Sequence, residues 1–304
     1  MGEPPYDTPR AVIEATQQAL AAGKTKYSPV TGLPELKSRL ADQFDGYDAN
    51  NIIISNGSKQ CLFAMFQVIC NPTDEVIIPR PFWVSFPEQV KLAGGCPVFV
   101  DTCNHQLDCE KIKRAITPKT RAILINSPNN PTGAVYEISA LERIIDICRK
   151  NDLWLISDEA YAAFVYGDTP FTRLFDFPEI RSQLIVVRSF SKTYGMTGFR
   201  VGYVAAAQEM IDRLTTVHGH LTGNVCTFVQ YGALAALALD DEELAVYRLD
   251  LEKRRDEAYN MIRGVFDCVK PGGGVLSFPR CIAPSGKREN LSGLGQSAAR
   301  KTWR

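Results

Sequence analysis

Ser189, Lys192 and Arg200 stand close together in Leu184-Ile-Val-Val-Arg-Ser-Phe-Ser-Lys-Thr-Tyr-Gly-Met-Thr-Gly-Phe-Arg200. A lysine that is partly desolvated loses ammonium character and becomes an amine nucleophile. A hydroxyl and a guanidinium beside it are the groups that hold a phosphate. Together they point to a Schiff base between Lys192 and a phosphorylated aldehyde, the chemistry of pyridoxal phosphate (PLP). A surface loop with ordinary positive charges is the alternative reading of this stretch alone.

Other segments add groups that such a site would use. Asp158 follows the apolar run Leu153–Ile156, and a buried carboxylate there needs a cation or a protonated ring nitrogen. An N-cap on a following helix is the competing role. Tyr161 lies three residues on, close to one helical turn, so the two side chains could face one site. Asn126-Ser-Pro-Asn-Asn-Pro-Thr-Gly133 is a rigid turn that would fix Asn130 as a donor. Asn56-Gly-Ser-Lys-Gln60 reads as a turn into a helix capped by Ser58, whose first N–H groups could take an anion. Trp83, after the run at 75–79, is either core or a ring that lies on an aromatic cofactor.

These groups need a frame, and the spacing of apolar residues supplies one. Seven short apolar runs read as strands at 52–55, 75–79, 97–101, 121–126, 153–157, 184–188 and 200–206. Helical patterns fall at 11–22, 58–70, 82–93, 137–150, 224–238 and 241–263, and Pro34 suits the first turn of another helix. Alternation of strand and helix predicts an α/β fold with a mostly parallel seven-stranded sheet covered by helices on both faces. Residues just past the strand ends then meet at the mouth of the sheet, where open α/β folds bind ligands.

Composition sets bounds. The chain has 304 residues, 45% of them hydrophobic, enough for one large domain or a large and a small one. Lys+Arg and Asp+Glu are both 34, so no basic footprint points to nucleic acid or a membrane surface. Nine scattered cysteines without a CxxC pair read as reduced thiols in a cytoplasmic protein. No signal peptide and no membrane-length apolar run is visible. His105 lies in a polar loop, His218 and His220 have no Cys, Asp or Glu at metal-ligand spacing, and Gly272-Gly-Gly274 reads as a turn.

The order Asn56-Gly-Ser-Lys-Gln60, Trp83, Asn129-Asn-Pro-Thr-Gly133, Ser157-Asp-Glu-Ala-Tyr161 and Ser189-Phe-Ser-Lys192 through Arg200 resembles the class I/II aminotransferases, the fold-type-I PLP enzymes. Bacterial-type aspartate aminotransferases are the most similar group. The resemblance implies pyridoxal 5'-phosphate as cofactor and Lys192 as the lysine that carries it. It implies Asp158 as partner of the ring nitrogen, Asn130 and Tyr161 as partners of the ring's phenolic oxygen, and Trp83 as the stacking residue. Gly57, Ser58, Ser189 and Arg200 would cradle the phosphate, with Lys59 nearby. Tyr27 would reach the phosphate of a neighbouring subunit, so a homodimer with shared active sites is implied. Gly2 would approach the substrate carboxylate, beside Trp83 and Asn130.

The implied activity moves an amino group from an L-amino acid, aspartate favoured, to a 2-oxo acid, 2-oxoglutarate favoured. A catalytically impaired PLP-binding product and another fold-type-I chemistry, a β-lyase or decarboxylase, are the alternatives. The implied division is an N-terminal segment at 1–10, a PLP-binding large domain at 11–250, and the start of a small domain at 251–279. The tail at 280–304 is rich in Ser, Gly, Lys and Arg and departs from the family pattern. It reads as disordered, in a chain truncated or frameshifted before the family's substrate-binding arginine.

Overall fold

The computed structural model describes residues 3–266 and 268–275. The β-branched runs form strands β1 (Ile52–Ser55), β2 (Glu75–Arg80), β3 (Cys96–Asp101), β4 (Thr120–Asn126), β5 (Trp154–Asp158), β6 (Leu184–Ser189) and β7 (Gly202–Ala206). The helices are α1 (Arg10–Ala21), α2 (Pro34–Ala41), α3 (Ser58–Ile69), α4 (Ser85–Leu92), α5 (Cys109–Arg114), α6 (Ile138–Lys150), α7 (Phe190–Thr193), α8 (Gln208–Leu221), α9 (Thr227–Ala236) and α10 (Asp241–Ile262). All seven predicted strands form within two residues of the expected bounds. The boundary misses fall at element ends, where hydrogen bonding rather than hydrophobicity decides.

The strands make one sheet in the order β1-β7-β6-β5-β4-β2-β3. Strand β7 is antiparallel to both neighbours and the other pairs are parallel. The predicted, mostly parallel, helix-covered sheet is therefore the observed one. Its inner strands are apolar on both sides because both faces are covered. Leu155 lies with α6 residues in one core cluster, whereas its neighbour Ile156 lies with α3 and α8 residues in the other. On α6, Leu141, Ile144, Ile145 and Cys148 are buried, the spacing of a single helix face.

Register brings the chemical segments to one edge. Asn126 pairs with Asp158, and Asp158 with Val187, so β4, β5 and β6 end almost level. Ser189 pairs with Gly202 across β6 and β7, so residues 190–201 form an excursion at that same edge. Ser55 also pairs with Gly202, which brings Asn56–Lys59 there as well. The antiparallel β7 is the reason: only a strand running back from the edge keeps Lys192 and Arg200 on the same side of the sheet.

Helix α10 is highly charged and buries Leu251 only, while Val246, Leu249 and Met261 are exposed. It forms as predicted. No helix of the described residues is long and apolar enough to cross a membrane. Gly2 and the predicted tail lie outside the described residues.

Candidate active site

Lys192 sits in the single-turn helix α7, directly after β6. Burial lowers the affinity of its amine for a proton, Arg200 works the same way, and the Glu3 carboxylate opposes both. The turn is held from outside. Tyr6 donates its hydroxyl to the Lys192 carbonyl at 2.5 Å, and Thr8 donates to the Gly195 carbonyl at 2.7 Å. Thr197 donates to Glu3 at 2.6 Å. The Tyr6 ring stacks on Tyr247 of α10, centroids 4.0 Å apart. Sequence reasoning missed Tyr6, because a contact spanning most of the chain leaves no local trace.

Asp158 ends β5 and is 4% exposed. Burial pushes its carboxyl up to about 7, a hydrogen bond from the Ala160 N–H pulls it down, and the adjacent Glu159 raises it. The competing reading, an N-cap on a following helix, fails: residues 160–163 form a turn, and Asp158 Oδ1 accepts from Ala160 N at 3.0 Å. The turn still directs Tyr161 inward, where its hydroxyl meets Asn130 Nδ2 at 3.4 Å. Burial first, then the Asp158 charge, raises the Tyr161 phenol to about 12, and the Asn130 bond counters both.

Asn126, also overlooked in the sequence, joins these two segments. Its Oδ1 accepts from Asn130 N at 2.7 Å and its Nδ2 donates to the Asp158 carbonyl at 3.0 Å. An amide buried at a strand end must find such partners, and that requirement was the available signal.

Arg200 takes a left-handed conformation (φ 56°). Its guanidinium donates to the Thr197 carbonyl at 2.9 Å and to the Ser191 hydroxyl at 3.4 Å. It lies against Gly57, whose φ is 76° and where a Cβ would run into it. Gly57, not Ser58, is the N-cap of α3, and Ser58 is the first helical residue. The swap follows from the positive φ, which favours glycine at the cap. Ser189 caps α7 by accepting from Ser191 N at 3.1 Å.

Trp83 packs edge-on against Phe86, and Lys59 Nζ lies 4.9 Å from the Trp83 ring centre. Beside them a cavity of about 790 Å³ is lined by Asn56, Lys59, Phe63, Val84 and Arg200 among others. Tyr27 stands apart, 95% exposed. Thus Lys192, Asp158, Asn130, Tyr161, Gly57, Ser58, Lys59, Trp83, Ser189 and Arg200 share one sheet edge, and Tyr27 projects into solvent. Among the described residues no His, Cys, Asp or Glu cluster is placed to hold a metal.

The arrangement offers an amine, an anion cradle and a buried carboxylate at a fixed mutual setting. The family model described as aminotransferase class I and II matches residues 1–293. The aspartate aminotransferase of Bacillus subtilis (strain 168) is 40% identical over 289 residues, covering 91% of this chain and 74% of that protein. A probable aspartate/prephenate aminotransferase of Aquifex aeolicus is 42% identical over 291 residues, with the same coverage. Among solved structures, Thermus thermophilus aspartate aminotransferase with maleate superposes with a TM-score of 0.85 at 37% identity, over 90% of this chain and 74% of that one. An aromatic aminotransferase from Pyrococcus horikoshii gives 0.87 at 34% identity, over 90% and 77%.

Proposed function

The chain belongs to the class I and II aminotransferases, PLP-dependent enzymes, and from that premise we propose that it transfers the amino group of L-aspartate to 2-oxoglutarate. The residues present fit the cofactor on three counts. Asp158 is a buried carboxylate that enters no ion pair among the described residues, as a protonated ring nitrogen requires. The backbone at Gly57 and the Arg200 guanidinium form a close pocket that only glycine leaves open. Asn130 and Tyr161 bring an amide donor and a phenol within 3.4 Å of each other.

When bound, PLP supplies an electron-accepting ring that delocalises the charge left as the substrate α-C–H bond breaks. Lys192 would hold the aldehyde, and once the substrate amine had taken its place the freed Nζ would carry the α-proton. A less protonated amine suits both tasks near neutral pH. Asp158 would keep the ring nitrogen protonated, while Asn130 and Tyr161 would hold the phenolic oxygen. Gly57, Ser58, Ser189 and Arg200 would bind the phosphate, and Trp83 would cover the ring. Trp83 and Asn130 would face the substrate and Lys59 would be the contact for a distal carboxylate, while Gly2, the third substrate residue of this reading, lies outside the described residues.

The large domain of this reading spans 11–250, followed by the start of the small domain at 251–279. A cytoplasmic homodimer is part of the same reading. Eight free cysteines among the described residues and the exposed Tyr27 support it. The aspartate assignment follows the aspartate aminotransferases among the relatives, and a prephenate or aromatic donor is the second reading the relatives favour.

The observation that carries the proposal is the convergence of Lys192, Asp158 and the Asn130–Tyr161 pair at the level ends of β4, β5 and β6. The test is borohydride reduction of PLP-loaded protein followed by peptide mapping. Label is expected on the Lys192 peptide and absent in Lys192→Ala. Oxaloacetate should then form from L-aspartate in the presence of 2-oxoglutarate. Release of ammonia or carbon dioxide instead identifies a lyase or decarboxylase, and label without any amino transfer identifies a non-catalytic PLP-binding product.

A further inference from the structure

Two carboxylates stand side by side at the end of β5, Asp158 and Glu159, and both are 4% exposed. Only one of them has a cation. Arg188 on β6 donates from Nε and Nη2 to Glu159 Oε2 at 2.9 and 2.8 Å. Ser157 donates to the other Glu159 oxygen at 2.9 Å. The pleat explains the choice. Ser157 and Glu159 point to the sheet face that also carries Leu155, Val186 and Tyr203, whereas Asp158 points to the face of Ile156 and Cys61.

The cation's own surroundings are built to keep it there. Arg188 Nη1 donates to Gln43 Oε1 at 2.9 Å, and the guanidinium lies 5.1 Å from the Phe44 ring centre. Tyr203 donates to the same Gln43 oxygen at 3.2 Å. Arg173, the other cation on this side, is engaged by the Gln43 carbonyl and Asp176. On the opposite face, Asp158 has Ala160 N, Tyr161 and Cys61 as its polar neighbours.

We propose that Arg188 is a positioning residue that allocates charge at this strand end: by claiming Glu159 it leaves Asp158 as the one unpaired carboxylate, reserved for the cofactor ring. A buried carboxylate without a partner is costly, and two adjacent ones repel. Without Arg188, Glu159 competes for any proton or cation that reaches β5, and Asp158 loses its distinct role. The same pair also ties β5 to β6, the strands that present Asp158 and Lys192. The inference rests on the PLP site proposed above.

The experiment compares PLP affinity, by absorbance titration of apoprotein, and the pH midpoint of the bound cofactor's visible band. Arg188→Met, which removes the charge at similar volume, should weaken PLP by about tenfold or more and move the midpoint. Arg188→Met with Glu159→Gln removes both charges and should bring affinity back to within about threefold of wild type. A strand tie without charge allocation predicts the opposite, a double variant as weak as the single one, and that result overturns the proposal. If Arg188→Met does not fold, the double variant decides alone by the same threshold. Wild-type protein that shows no visible band overturns the site assignment and this inference together; a wild-type band with Arg188→Met unchanged overturns the inference only.

Discussion

Asp158 is a carboxyl that the fold moves far from its ordinary range. Its folded-state carboxyl lies near 7 against an ordinary 3.8, because burial disfavours the charged form. The folded state therefore binds this proton more tightly than the unfolded chain. Stability from this group is intact below about 3.8 and is lost as pH rises towards about 7. Asp158→Asn removes that penalty. Without PLP, the variant should be more stable than wild type at pH 8, by on the order of 2–4 kcal/mol. The gain should vanish near pH 4. Thermal melts followed by circular dichroism at the two pH values check this, and a wild type that melts higher at pH 8 contradicts it. If Asp158 is the ring-nitrogen partner proposed above, the order should reverse with PLP, since an amide cannot hold that nitrogen protonated.

At the scale of elements, the proposed phosphate cradle depends on how β1, α3 and β7 meet. Gly57 joins β1 to α3 with a positive φ, and the Arg200 guanidinium fills the space where a side chain would begin. Gly202 on β7 comes so close to the Gly57 and Ser58 backbone that a Cβ there would clash. Gly57→Ala should cost about 1–3 kcal/mol in urea unfolding and weaken inorganic phosphate and PLP binding together. Unchanged phosphate affinity in a folded variant would remove Gly57 from the cradle. This junction was only half legible beforehand. Asn56-Gly57 marked a turn, but the approach of β7 from far along the chain is a tertiary fact, and so is the cap at Gly57 rather than Ser58.

For the whole molecule, the informative residue is Tyr27, 95% exposed in the single chain. If two copies share sites, each site takes Lys192 from one chain and Tyr27 from the other. Mixing Lys192→Ala with Tyr27→Ala under conditions that exchange subunits should then regenerate one intact site in each hybrid dimer. Transaminase activity should rise above that of either variant alone, and sedimentation should give twice the chain mass. A mixture no more active than its parts argues that each chain works with its own residues.

Local chemistry fixed a good deal in advance. The β-branched runs and helical spacings specified strands and helices, because period and burial are properties of short segments. Residue types at the strand ends offered an amine, a carboxylate and candidate anion-binding groups. What the fold alone decided was which groups meet. Asn126 bridges Asn130 to Asp158, Tyr6 holds the Lys192 carbonyl, and Arg188 takes Glu159 but not its neighbour. These pairings depend on register, on the face to which each side chain turns and on the one antiparallel strand. None of these is encoded within a few residues, because each is settled by packing between segments distant in the chain.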